Sequence, residues 1–320
     1  MKRLPFRTLK GPDQPGAPLD SGARTAIGRT AICALLWGTS FPLTLVGLES
    51  GFGPLTFVFL RFGLAAPVMV AISVAYGKRV YSVLKRREVW ILGVLNALGF
   101  VCQYVGQQYT DASLAALLVN MSVVLAAAGG AVFLGERMGT WKALGVAMAV
   151  GGTFLVTTNG SLASLNGSQS LGIGLYLGSA ATWAVYIVYA KGKAEDEGLE
   201  PMLLATGIVL VTAALTLPVA ALSGEGIPSG GRAIGVVLYM AVLNTALPFI
   251  LYQQGLQRLT AGLSAVVLMF EVVVALGVSV VFLQEDLSAT ALLGSGAILV
   301  SIFLVSGADL GGKSAVVEGA

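Results

Sequence analysis

Apolar residues run through the sequence in ten long stretches, at about 30–48, 54–76, 89–109, 112–134, 140–158, 171–191, 201–223, 233–255, 262–284 and 289–307. Each is about 18–23 residues, the length a helix needs to cross a hydrocarbon layer of roughly 30 Å. The polar dividers are short: Glu49 to Gly53, Gly77 to Glu88, Thr110 with Asp111, Gly135 to Gly139, Asn159 to Ser170, Lys191 to Glu200, Gly224 to Arg232, Gln257 to Ala261, and Gln284 to Ser288. Such tight connections make successive helices antiparallel. The pattern predicts an all-α integral membrane protein of ten transmembrane helices.

Charge placement tests that count. With the N-terminus inside, 17 of the 19 lysines and arginines fall in inside segments, Arg232 falls outside and Arg61 lies within a span. Cytoplasmic loops retain positive charge, so both termini are expected in the cytoplasm of a plasma-membrane protein. A missed or invented helix would scramble the alternation. Residues 1–29, with Pro5, Pro12, Pro15 and Pro18, read as a flexible cytoplasmic tail rather than a cleaved signal, and 308–320 as a second tail.

The two halves repeat. Asn96 and Tyr104 of the third span find Asn244 and Tyr252 in the eighth, and Leu134 with Glu136 find Leu283 with Glu285. Ala112, Ala126 and Gly130 correspond to Ala261, Ala275 and Ser279, and Trp37 to Trp183. The expected domains are a first five-helix repeat at 30–158, an external linker at 159–170 and a second repeat at 171–307. An odd number of spans per repeat turns the second copy upside down, giving two inverted five-helix repeats. Secondary transporters use that arrangement to alternate access around a site near the midplane.

Composition removes other classes. Only 11% of residues are charged, 56% are hydrophobic, and there is no histidine. The two cysteines, Cys33 and Cys102, lie in separate apolar stretches, so no disulfide framework, metal site or cofactor is indicated. An enzyme is not expected, no nucleic-acid partner is suggested, and no glycine-rich phosphate loop with its lysine points to ATP. The lipid bilayer and a small molecule are the expected partners of a monomer or homodimer.

Several motifs resemble the EamA family of the drug/metabolite transporter superfamily. They are Trp37-Gly38-Thr39-Ser40-Phe41, then Pro54 with Arg61-Phe62, and Tyr109-Thr110-Asp111-Ala112 leading to Phe133-Leu134-Gly135-Glu136-Arg137. Thr260-Ala261-Gly262-Leu263-Ser264-Ala265 and Phe282-Leu283-Gln284-Glu285 echo them in the second half. The resemblance covers about 30–307 and implies a secondary transporter of small organic metabolites, amino acids or related amphipathic compounds, working by alternating access, with export the implied direction. Family members commonly carry a proline in the middle of the fourth and ninth spans, where this chain has Val123 and Val272. A non-transporting membrane receptor or scaffold with the same fold is the alternative.

Polar residues inside the spans are the candidate site. Glu271 sits too deep to reach either interface, where an ionisable group is costly; it is a candidate for proton coupling, for pairing a substrate amine, or for a structural hydrogen bond. Arg61 lies roughly 10 Å deep at helical rise, open to snorkelling outward, to binding a substrate carboxylate or to pairing with Glu271. Trp37, Ser40, Phe41 and Thr44 share a helical face, as do Asn96, Gln103 and Gln107. Such faces point inward, either joining helices or lining a cavity, and Asn120, Trp183, Tyr186, Asn244 and Tyr252 could complete a substrate pocket. Glu136 and Glu285, at span ends, are expected to cap or bridge neighbouring helices. The small residues Ala143, Ala147 and Gly151 are expected to admit a close helix neighbour.

Overall fold

The computed structural model describes residues 21–133, 139–158, 167–190, 200–256, 267–268 and 270–317. Among them the elements are helical: α1 Ser21–Gly38, α2 Ser40–Glu49, α3 Pro54–Ala75, α4 Val80–Val83, α5 Arg87–Gln107, α6 Ala112–Phe133 and α7 Thr140–Thr158. They continue as α8 Gly167–Tyr189, α9 Pro201–Ser223, α10 Gly231–Ala241, a π-helical turn Val242–Ala246, α11 Leu247–Leu256, α12 Phe270–Phe282 and α13 Ala289–Val317. Among the described residues, six stretches are long and apolar enough to cross a membrane, and four shorter apolar helices lie in the remaining predicted spans. Helix α1 starts at Ser21 and α13 runs on to Val317, so both reach into segments expected to be tails.

Helix contacts define the layout. Helix α3 packs along α9, α5 lies against both α8 and α9, and α6 packs on α8. The first span packs on α11 and α12, α3 touches α10 and the π turn, and α7 pairs with α13. Numbering the spans in order, contacts of spans three and six, and of four and six, have counterparts in spans eight and one, and nine and one. Two–seven, four–nine and five–ten map onto themselves.

Lipid supplies no hydrophobic drive between helices, so close approach and hydrogen bonds carry the association. Ser73 and Thr206 meet at 2.9 Å between α3 and α9, and Asn96 donates to Thr212 at 2.8 Å between α5 and α9. Gln103 donates to Ser179 at 3.0 Å, and Tyr176 to Gln107 Oε1 at 2.6 Å, both between α5 and α8. Gly93 and Gly207 let α5 and α9 approach, each facing a valine of the other helix, Val211 and Val89.

At the α7–α13 contact the structure departs from the expected stripe. Gly151 faces open space, and the neighbouring Gly152 meets Gly294: a Cβ on either would stand 2.7 Å from the other's carbonyl oxygen. Backbone cannot yield as a flexible side chain does. Gly152→Ala and Gly294→Ala are therefore expected to destabilise the folded protein by about 1–3 kcal/mol, while Gly151→Ala is neutral. Thermal denaturation in detergent, read by monodispersity, checks the contrast, and equal effects at 151 and 152 would contradict this packing.

Candidate functional site

Two irregular helices meet in the interior. In the first span the ladder is interrupted at Thr39, whose N–H reaches back three residues to Leu36 at 3.1 Å while its hydroxyl donates to the same carbonyl at 2.7 Å. Pro42 has no N–H to offer the Gly38 carbonyl. In the eighth span the π turn Val242–Ala246 is followed by Pro248, which likewise leaves the Asn244 carbonyl without its ladder donor. Helix irregularities at membrane depth persist only where other groups satisfy the freed backbone.

Arg61 does so here. Its Nη2 donates to the Asn244 carbonyl at 2.8 Å and its Nε to Thr245 Oγ1 at 2.7 Å. Its Nη1 donates to Ser40 Oγ at 3.0 Å and to the Tyr104 hydroxyl at 3.2 Å. The guanidinium lies 4.7 Å from the Phe100 ring centroid and 5.6 Å from that of Phe62. At 1% exposure Arg61 does not snorkel; it joins four spans from the interior. Every one of these hydrogen-bond partners is neutral, and among the described residues Arg61 forms no ion pair.

The motif Trp37 to Phe41 has a part for each residue. The Trp37 indole donates to the Asn244 carbonyl at 3.2 Å and stands edge-on to Tyr252, ring centroids 5.2 Å apart. Gly38 admits the ninth span: a Cβ there would lie 2.7 Å from the Glu271 carbonyl oxygen. Thr39 hydrogen-bonds the Asn244 side chain at 3.3 Å, and Ser40 receives Arg61. Phe41 faces a different cluster, with Ala112, Ala115, Tyr176 and Ala275.

Aromatic rings extend from this centre. Trp37 contacts Phe249, Phe249 contacts Phe62, Phe62 contacts Phe100, Phe100 contacts Trp183, and Trp183 contacts Tyr186, with centroid distances from 4.8 to 6.2 Å. Of the predicted site residues, the structure thus brings Trp37, Ser40, Arg61, Trp183, Tyr186, Asn244 and Tyr252 into one aromatic and polar network. Among the described residues, the buried Trp183 indole N–H has no hydrogen-bond partner. Glu271 is half-buried on α12, and its backbone adjoins the break in the first span.

The remaining candidates lie elsewhere. Asn96, Gln103 and Gln107 bridge α5 to its neighbours through the bonds given above. Asn120 donates back to the Ala116 carbonyl at 2.9 Å. Sequence reasoning left out Tyr104 and Thr245, two of the partners that hold Arg61. Tyr104 had a signal, since it matches Tyr252 in the repeat; Thr245 had none, because its exposure to Arg61 depends on the π turn.

Acidic side chains tie helix starts from a distance. Glu285 accepts from the backbone N–H groups of Ala112 at 2.8 Å and Ser113 at 3.1 Å, as expected for a span-end carboxylate, and Glu225 accepts from that of Thr56 at 2.7 Å. Glu136 lies outside the described residues. A cleft of about 330 Å³ beside Glu285 is lined by Asp111, Asp286, Gln169 and Ser288. Burial, and then the Glu285 charge, raise Asp111 above the ordinary carboxylate range. A carboxylate so raised costs stability when ionised and relieves that cost as pH falls through its raised titration. Asp111→Asn is therefore expected to raise thermal stability at neutral pH, with the advantage shrinking as the medium is acidified. A pH series of melting curves checks it, and a pH-independent difference contradicts it.

The fold and this interior network define a multi-pass helical membrane protein of the transporter type. The chain belongs to the EamA-like transporter family, whose sequence profile matches it twice, over residues 26–158 and 170–307. A probable terminal-alkyne amino-acid exporter from Streptantibioticus cattleyicolor is 27% identical over 292 residues, spanning 89% of this chain and 95% of its own. An uncharacterized transporter from Archaeoglobus fulgidus is 27% identical over 71% of this chain and 78% of its own. The threonine/homoserine exporter RhtA of Escherichia coli K12 is 32% identical over 130 residues, 41% of this chain and 43% of its own. A crystal structure with 19% sequence identity shares the fold, with a TM-score of 0.65 over 88% of this chain and 96% of that one.

Proposed function

We propose that this protein is a secondary transporter that exports small amphipathic metabolites, amino acids foremost, by alternating access. The observation that carries the proposal is the Arg61 centre, where a broken first span and a π-turned eighth span are joined in the membrane interior. Transporters place their sites at such discontinuous helices near the midplane. Two inverted five-helix repeats would supply the second state. The twofold match of the family profile and the exchange of helix contacts between halves support that arrangement. Relatives named as amino-acid exporters support the substrate class and the direction.

The proposed location is the plasma membrane with both termini cytoplasmic, an orientation that the lysine and arginine distribution supports. Among the predicted site residues, Trp37, Ser40, Arg61, Trp183, Tyr186, Asn244, Tyr252 and Glu271 form the proposed substrate region. The bridging amides Asn96, Gln103 and Gln107 hold the helices that frame it.

Glu271 is the proposed proton-coupling group, because it is the one acidic residue within the ten apolar stretches. In proteoliposomes, amino-acid flux by the wild type is expected to depend on an imposed proton gradient. Glu271→Gln, which keeps the size and loses the proton exchange, is expected to leave only downhill flux insensitive to that gradient. Gradient-driven accumulation that persists in Glu271→Gln removes this residue from coupling.

A further inference from the structure

Arg61 has a property that its role as a joint does not require. Four of its N–H donors are held, yet each acceptor is an uncharged hydroxyl or carbonyl. A carboxylate offers a buried guanidinium two parallel acceptors and a full opposite charge, an attraction that separate neutral oxygens do not supply. The acid within the apolar stretches is Glu271, whose backbone adjoins Gly38 of the first span, and among the described residues it forms no ion pair with Arg61.

From this geometry we infer that Arg61 is the carboxylate-binding residue of the transport site, and that a substrate carboxylate operates the joint by replacing its neutral acceptors. This inference rests on the transport reading above and adds its chemistry. The incoming carboxylate takes the guanidinium face now turned to the Asn244 carbonyl and Thr245 hydroxyl of the eighth span. Ser40 of the first span and Tyr104 of the third are released or retained according to the approach. Because the Asn244 carbonyl and Thr245 are the hydrogen-bonded ties from Arg61 of the second span to the π-turned span, their replacement loosens the eighth span against the second. Binding and conformational change become one event, and a ligand without an anion makes no differential contact and shifts nothing. An ammonium on the same substrate is directed to Glu271, so the favoured class is the zwitterionic α-amino acid with an amphipathic side chain against the aromatic rings.

The test uses the full-length wild-type protein in nanodiscs and in proteoliposomes. Threonine, leucine and phenylalanine are each compared with their carboxamides and with the amines left by decarboxylation, by binding and by counterflow. Amides and amines are expected to bind at least about tenfold more weakly than the acids. Thr245→Val, which removes one acceptor that competes for Arg61, is expected to raise affinity for the acids, whereas a purely structural Arg61 predicts a loss. Arg61→Lys keeps the charge without the planar fork and is expected to erase most of the preference for acid over amide. Equal affinity for acids, amides and amines, or a preference unchanged in Arg61→Lys, overturns the assignment while flux remains. No flux or binding for any of these compounds overturns the transport reading with it.

Discussion

The architecture turns on one guanidinium that the membrane interior cannot leave unsatisfied. Arg61 is bonded by groups from the first, third and eighth spans while rooted in the second, and it has the Asn244 carbonyl as one of its anchors. That carbonyl is free because Pro248 lacks an N–H and the preceding turn is π-helical. The irregularity and the arginine therefore depend on each other. Without Arg61 and Trp37 the freed carbonyl would be an orphan in hydrocarbon, and without the freed carbonyl the arginine would lose one of its neutral acceptors.

Around this centre, rigid and adjustable contacts are separated. The α3–α9 and α5–α8–α9 contacts are fastened by paired hydroxyls and amides and by glycines that admit neighbouring valines. The first and eighth spans instead meet at an interrupted ladder and a π turn, through the Trp37 and Thr39 hydrogen bonds to Asn244 and edge-on aromatic contacts. At the other end of the ninth span, the Glu285 carboxylate holds the start of α6 by two backbone N–H groups. A frame that resists shear and a centre whose bonds can be exchanged would suit the alternating access proposed for this protein.

Much of the frame was legible in the sequence, because length and charge are local properties. Ten apolar runs, the short dividers and the lysine and arginine alternation are read directly, and Glu285 falls where a capping carboxylate belongs. The centre was less legible. A fully apolar stretch has no 3.6-residue contrast to show that the eighth span carries a π turn or that the first is interrupted at Thr39. Arg61 was visible, but whether its long side chain turned outward or inward depends on groups that other spans supply. The polar face of Asn96, Gln103 and Gln107 read equally as cavity or as joint, and the partners that decide it, Thr212, Ser179 and Tyr176, lie 69 to 116 residues away. The choice between Gly151 and Gly152 is a rotation of one helical position, which composition cannot register.

The most direct measurement is an experimental structure of the wild-type protein in a lipid nanodisc with an amino-acid substrate bound. The account predicts a carboxylate within hydrogen-bond distance of the Arg61 guanidinium, with the Asn244 carbonyl and Thr245 hydroxyl withdrawn from it and the eighth span shifted against the second. A substrate seated elsewhere, with all four Arg61 bonds intact, would contradict it.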